Sequence, residues 1–191
     1  MPSVGRQGTV NFCPCGGKIE LCCVEYELYS MVTTYCLEVQ VMEHGCPYYP
    51  PVGTVEYLTP DNAGYDLKVA ASQTITPIAT LVPLGVKARM VCKSTSGNVV
   101  EDCHFTLEPR SSIYKTGFIM ANGRGIIDKG YRGELMAPLI SVGSNSRTID
   151  AGTRLFQIIA PGLGYIDEVR YVTMLPETVR GTGGFGSTGL K

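Results

Sequence analysis

The chain ends in Arg180-Gly181-Thr182-Gly183-Gly184-Phe185-Gly186-Ser187-Thr188-Gly189-Leu190-Lys191, where five glycines surround one aromatic ring and one arginine. Glycine takes positive φ without strain, so successive N–H groups of such a run can wrap a phosphate. Ser187 and Thr188 add hydroxyl donors, Phe185 offers a face to a nucleobase, and Arg180 can bring charge to a polyphosphate. Each part suits a nucleotide. Composition alone favours a plain flexible terminus, so the rest of the chain has to decide.

Four upstream segments carry groups of the same kind. They are Ala63-Gly64-Tyr65-Asp66-Leu67, Pro109-Arg110-Ser111-Ser112, Asn122-Gly-Arg-Gly125-Ile-Ile127-Asp128-Lys-Gly130-Tyr131-Arg132-Gly133-Glu134, and Ala151-Gly-Thr-Arg154-Leu-Phe-Gln157. With the tail they form an ordered set of five, far more specific than a lone glycine motif. In order and spacing the chain resembles the trimeric dUTP pyrophosphatase (dUTPase) family over about residues 36 to 191.

The resemblance implies a role for each segment. Asp128 is the general base that orients and deprotonates an attacking water; the residues alone also allow an ordinary Asx-turn there. Tyr131 packs on the deoxyribose and leaves no room for a 2′-hydroxyl. Asn122 begins a hairpin, with Gly125 and Ile127, whose backbone pairs with the edge of uracil; Gly123 and Gly125 let that strand approach a flat ring. Arg124 departs from the small or apolar residue expected between them, and an inward side chain would weaken the pocket reading. Arg110, Ser111 and Ser112 contact phosphate oxygens, Gln157 the phosphate chain and water, and Asp66 supports Mg²⁺ through bound water. Arg180 supplies charge to the polyphosphate, while Phe185, Gly186, Ser187 and Thr188 close over the nucleotide. Three chains build each site, with the tail acting in trans, on the expectation that one barrel does not easily bring its own Arg180–Gly189 segment over both its own Tyr131 hairpin and its own Arg110.

Behind these segments the chain reads as strands. Ile19–Val24, Met31–Val41, Gln73–Val86, Val99–Leu107 and Val169–Leu175 are rich in Val, Ile, Thr and Tyr, and Gly, Pro, Asn and Asp clusters separate them. No long stretch shows a 3.6-residue apolar repeat. The fold class is all-β, a sandwich or distorted barrel by composition and a jelly-roll β-barrel by resemblance. Residues 34–178 form this domain, 179–191 the tail, and 1–33 an N-terminal extension that none of the five segments needs. Between Lys87 and Glu108 lies a hairpin longer than the family's usual connection, turning at Lys93-Ser-Thr-Ser-Gly97-Asn98. Neither addition carries chemistry that the sequence names.

A chain of 191 residues with 44% apolar residues suits one domain with a modest appendage. Net charge of −1 gives no electrostatic case for a nucleic-acid polymer, so a nucleotide ligand should be a small molecule. No apolar run approaches the roughly 18 residues of a membrane span, and no signal peptide is evident. We expect a soluble protein of the cytoplasm, the host's if the source is viral, or of the nucleus. Six of eight cysteines, Cys13, Cys15, Cys22, Cys23, Cys36 and Cys46, fall in the first quarter. Their Cys-x-Cys and Cys-Cys spacing departs from zinc pairs, which favours free buried thiols over a metal site.

The leading expectation is hydrolysis of dUTP to dUMP and pyrophosphate by water attack on the α-phosphorus. A dCTP deaminase of the same fold is the first rival, and the tail argues against it. A nucleotide-responsive regulatory protein without catalysis is the second.

Overall fold

Short runs rich in β-branched and aromatic residues, cut by turn-forming Gly, Pro, Asn and Asp, favour brief paired strands over helices. The computed structural model describes residues 34–94 and 98–184. Its strands are β1 (Thr34–Val41), β2 (Val55–Tyr57), β3 (Gly64–Leu67), β4 (Gln73–Ile75), β5 (Thr80–Pro83), β6 (Val86–Lys93) and β7 (Val99–Cys103). They continue with β8 (Phe105–Pro109), β9 (Phe118–Met120), β10 (Gly125–Ile127), β11 (Met136–Ser141), β12 (Arg147–Ile149), β13 (Phe156–Ile159) and β14 (Ile166–Tyr171). Among the described residues helix is confined to three 3₁₀ segments, Glu43–Tyr48, Ser111–Lys115 and Pro161–Leu163. The strand expected at Ile19–Val24, the extension at 1–33, Cys13, Cys15, Cys22 and Cys23, and Phe185, Gly186, Ser187 and Thr188 lie outside the described residues.

The strands form sheets of order β2-β14-β1-β6-β7, β10-β8-β13-β3, β5-β11-β9 and β12-β4. The first described strand pairs in parallel with the last, and antiparallel with β6. Most neighbours are distant in sequence, so this is the all-β jelly-roll arrangement rather than a meander. Three expected strands are shorter than the apolar runs suggested. Gln73–Val86 divides into β4, β5 and the first residue of β6, because Pro77 lacks a ladder donor and Gly85 turns at φ 69°. Val99–Leu107 divides at His104, and Val169–Leu175 ends at Tyr171. The expected hairpin is present: β6 pairs antiparallel with β7, and the Ser94 N–H donates to the Asn98 carbonyl at 2.9 Å.

Period-two alternation sets up the site. In β8, Phe105 and Leu107 point into the core, each burial contributing about 1.5–3 kcal/mol, while Thr106 and Glu108 face outward. In β13, Phe156 and Ile158 are fully buried and Gln157 projects from the other face. The core therefore fixes two polar rows on one sheet.

Candidate active site

β8 pairs with β10 through Leu107–Gly125 and Phe105–Ile127, which holds the Asn122–Asp128 hairpin against the core. Gly123 needs its identity for its φ of 65°, and a side chain there would meet open space. At Gly125 a Cβ would lie 3.4 Å from Leu107 Cβ, an ordinary contact, so the missing side chain clears room rather than relieving a clash. Arg124 turns outward: its Nε lies 2.9 Å from Glu108 Oε1 and its side chain is mostly exposed. The concern about an inward arginine falls away.

A tight turn follows, in which the Tyr131 N–H donates to the Asp128 carbonyl at 2.9 Å. Asp128 and Tyr131 thus stand at the two ends of one turn. Leu107, Asn122, Gly125, Ile127, Asp128 and Tyr131 line a cleft of about 160 Å³, together with Arg180 and Gly184. The Tyr131 hydroxyl donates to the Glu134 carbonyl at 3.0 Å, which fixes the ring. Any Cβ at Gly133 would come within 2.5 Å of the ring's Cζ, so only glycine fits there. Burial, with the nearby Glu134 carboxylate, raises the Tyr131 phenol above its ordinary range against the lowering effect of Arg180. The phenol is therefore a neutral wall at pH 7.

The Asp128 carboxylate faces a guanidinium and an imidazole. Arg180 Nη1 lies 2.9 Å from Oδ2, and His104 Nδ1 lies 3.4 Å from Oδ1. The Lys129 N–H donates to the same His104 nitrogen at 3.2 Å. Gly184 continues the tail over Tyr131, where a Cβ would stand 2.9 Å from ring Cε2. The root of the tail, Arg180 to Gly184, thus rests on its own chain's Tyr131 hairpin, while Arg110 lines a separate cleft. Five residues separate Tyr171 from Glu177, enough for the chain to return from the end of β14 to this turn.

A second cleft, of about 530 Å³, opens at the other end of the sheet and is lined by Asp66, Lys68, Arg110, Ser111, Arg154 and Gln157 among others. The Arg110 N–H donates to the Leu155 carbonyl at 2.8 Å, which anchors the residue as β8 ends. Its Nε lies 2.8 Å from Asp66 Oδ1, and Arg154 Nη1 lies 3.4 Å from Oδ2. Asp66 thus orients two guanidinium groups toward the opening, a geometry suited to phosphate oxygens. Gly64 is required because a Cβ would meet the Ile158 carbonyl oxygen at 2.8 Å and Gln157 Oε1 at 2.9 Å. Gln157 Nε2 donates to the Pro109 carbonyl at 3.4 Å. Ser112 sits in the 3₁₀ turn Ser111–Lys115 and does not line the cleft.

The two clefts are distinct. Ile127 stands opposite Phe105, so Asp128 is level with His104, four residues along β8 from Glu108. Glu108, Gln157 and Asp66 share one row across β8, β13 and β3. Three strand spacings of about 4.8 Å and four residues at about 3.3 Å put Asp128 roughly 19 Å from Asp66. The structure brings the expected residues together in two groups, Asn122, Gly125, Ile127, Asp128, Tyr131 and Arg180 in one, Asp66, Arg110, Ser111 and Gln157 in the other.

Sequence reasoning passed over Leu107, Arg132, Gly133, Glu134 and His104. Arg132, Gly133 and Glu134 directly follow Tyr131, and a glycine beside an aromatic placed at a sugar was a usable signal; His104 carried none. No group of three or more His, Cys, Asp or Glu side chains among the described residues could hold a metal. Cys36, Cys46, Cys92 and Cys103 are free thiols, and burial pushes Cys36 up to about 12.

The dUTPase family pattern matches residues 52–189. The deoxyuridine 5'-triphosphate nucleotidohydrolase of Rickettsia prowazekii (strain Madrid E) is 36% identical over 141 residues, covering 71% of this chain and 87% of that protein. The protein of the same name from Desulfitobacterium hafniense (strain DSM 10664 / DCB-2) is 33% identical over 140 residues, covering 71% and 86%. A crystal structure of dUTPase from Streptococcus mutans aligns with a TM-score of 0.47 at 23% identity, covering 73% of this chain and 99% of that one. A match spanning most of the chain, over the segments that build both clefts, means that this chain belongs to the dUTPase family.

Proposed function

We infer that the chain hydrolyses dUTP to dUMP and pyrophosphate. The observation that carries this reading is the single turn that places a carboxylate, Asp128, and a fixed phenol ring, Tyr131, at one cleft with the tail arginine beside them. Asp128 takes a proton from water as the water oxygen bonds to the α-phosphorus; the bond from that phosphorus to its bridging oxygen breaks, and pyrophosphate leaves. Tyr131 lies against the sugar and excludes a 2′-hydroxyl, while Asn122, Gly125 and Ile127 present backbone to the uracil edge. Arg180 leaves Asp128 for the phosphates as the nucleotide enters. Phe185, Gly186, Ser187 and Thr188 then cover the base and phosphates.

Arg110, Ser111 and Gln157 hold the phosphate chain, with Arg154 beside them and Ser112 contributing at most through the 3₁₀ turn. A gap of roughly 19 Å exceeds what one triphosphate-bound water can bridge within hydrogen-bond reach of Asp128, which supports sites built from more than one copy. The homotrimer is our proposal for that assembly. The divalent ion is Mg²⁺, which neutralises phosphate charge when bound. The triphosphate and the ion's own waters would supply most of its ligands, with Asp66 as outer-shell support. Cytoplasm or nucleus, where deoxynucleotides are made, is the compartment that such a substrate favours.

Purified protein incubated with dUTP, UTP, dTTP and dCTP tests the reading. Pyrophosphate from dUTP well above the other three is expected. Ammonia from dCTP would establish the deaminase instead, and dUTP binding without turnover would establish a regulatory protein.

A further inference from the structure

The long β6–β7 hairpin acquires a role through Arg132, a residue that follows Tyr131 and is 7% exposed. Its Nη1 donates to the Lys129 carbonyl at 2.7 Å and to the Tyr131 carbonyl at 2.9 Å. Its Nε donates to the Pro176 carbonyl at 2.8 Å, and its backbone N–H to the Gly181 carbonyl at 2.7 Å. One side of the fork therefore holds the peptides between Asp128 and Tyr131. The other contacts flank Arg180 on both sides. Thr178 adds a hydroxyl bond to the Gly130 carbonyl, and the Gly181 N–H donates back to Thr178 Oγ1 at 3.1 Å.

A buried guanidinium needs an anion, and β7 supplies it. Arg132 Nη2 donates to Asp102 Oδ2 at 3.0 Å. The other oxygen, Oδ1, accepts from Arg89 Nε at 3.0 Å and Nη2 at 2.6 Å, while Arg89 Nη1 reaches Glu38 Oε2 at 2.9 Å. Asp102 is thereby tied to β6 and β1 and does not swing. Lysine could not replace Arg132, because a point charge with three donors cannot span three carbonyls and a carboxylate held in separate directions.

The structure assigns Arg132, with Asp102 as its counter-ion, as a positioning pair that sets the Asp128–Tyr131 turn and the root of the tail in one geometry. The assignment rests on the proposed roles of Asp128, Tyr131 and Arg180. Neither residue touches the cleft's reacting position; both act through the peptides they hold.

The test uses full-length Arg132→Lys and Asp102→Asn. The second variant guards against misfolding of the first, since Asp102 lies on the sheet's edge strand with its side chain 28% exposed. An asparagine offers one uncharged acceptor oxygen where two guanidinium groups share a carboxylate, and Arg89 keeps Glu38 while Arg132 has no other anion among the described residues, so the Arg132 tether is the one weakened. Trypsin cleavage after Arg180 in nucleotide-free protein, followed by mass as release of residues 181–191, reads tail docking without any catalysis. Faster release is expected in both variants, with kcat for dUTP falling by between about tenfold and 10²-fold and the UTP to dUTP ratio rising. Unchanged release, kcat and ratio in variants that melt as wild type does would overturn the assignment. Losses that merely track the folded fraction would overturn it too. If wild type releases no pyrophosphate while the variants still shed the tail faster, the positioning stands and the proposed function fails.

Discussion

Asp128→Asn separates catalysis from folding, because the contacts it disturbs lie at the surface. The Arg180–Asp128 pair has side chains 44% and 37% exposed, and water screens a pair of that kind. Its loss should cost about 0–1 kcal/mol, and the asparagine oxygen can still accept from Arg180. For a protein of this size that moves Tm by no more than about 4 °C. Removing a general base typically costs about 10²–10⁴-fold in rate, equivalent to about 2.7–5.4 kcal/mol on the barrier. The predicted kinetic loss thus exceeds the predicted stability loss several-fold. Pyrophosphate release under single-turnover conditions gives the rate, calorimetric titration gives dUTP affinity, and a thermal melt gives Tm. A variant that retains rate within about twofold would remove Asp128 as the base. A large fall in Tm alongside the rate would show that the carboxylate serves the fold instead.

The sugar site predicts that Tyr131→Ala raises the ratio of UTP to dUTP cleavage, and that Gly133→Ala does the same by forcing the ring away from the Glu134 carbonyl. An unchanged ratio in both would take Tyr131 out of sugar selection. Burial alone would raise Glu168, but Lys93, Cys36 and Arg170 outweigh it and hold its carboxyl below the ordinary value of 4.5; Asp102 is likewise lowered from 3.8 once Arg89 and Arg132 overcome burial. Depressed folded values give stability that is present above the unfolded values and lost as pH falls through the folded ones, so melting temperature should drop below about pH 4. Glu168→Gln should flatten that drop and lower Tm at pH 7, because buried Lys93 then keeps only the longer 3.6 Å contact to Asp167; an equally steep acid profile would refute the assignment. Mixing Asp128→Asn with Arg110→Ala chains under subunit exchange should restore activity in about one quarter of sites, because random assembly gives half the chains an intact Asp128 and half an intact Arg110. No recovery with exchange confirmed by mass would place both groups in one chain's site.

Much of this was legible in the sequence because each motif is short and its chemistry local. Asp128 and Tyr131 are three residues apart, so a turn alone brings them to one cleft, and Arg110 with Ser111 needs only the end of one strand. Legibility failed where position depends on register between distant strands. Asp66 and Gln157 face the same opening because β3 and β13 pair at that row, and no pattern within either segment states the pairing. The apolar run Gln73–Val86 read as one strand because hydropathy reports neither direction nor exposure, and the chain turns twice inside it, with Ile78 and Leu81 exposed. Arg132 escaped notice for a related reason, since its partners Asp102 and Pro176 lie 30 and 44 residues away.

The same geometry lets the tail root rest on its own chain while supporting the proposal that the finished site draws on another. The gap between Asp128 and Asp66 combines the width of the four-stranded sheet, about 14 Å, with four residues along it, so the two clefts cannot converge without disturbing the pairing that buries Leu107 and Phe156. In the proposed assembly a second copy would resolve the conflict at no cost to either core, by presenting its phosphate cleft to the first chain's hairpin. If the tail also crossed to a neighbour, Arg180 would have to abandon Asp128 and Gly181 would have to abandon Arg132. Mixing Asp128→Asn chains with chains truncated after Val179 distinguishes the arrangements: a tail that stays on its own hairpin gives no recovery, since no site then holds both Asp128 and Arg180. Recovered activity, with exchange confirmed by mass, would show that the tail works in trans and that the contacts at Arg132 belong to the nucleotide-free state alone.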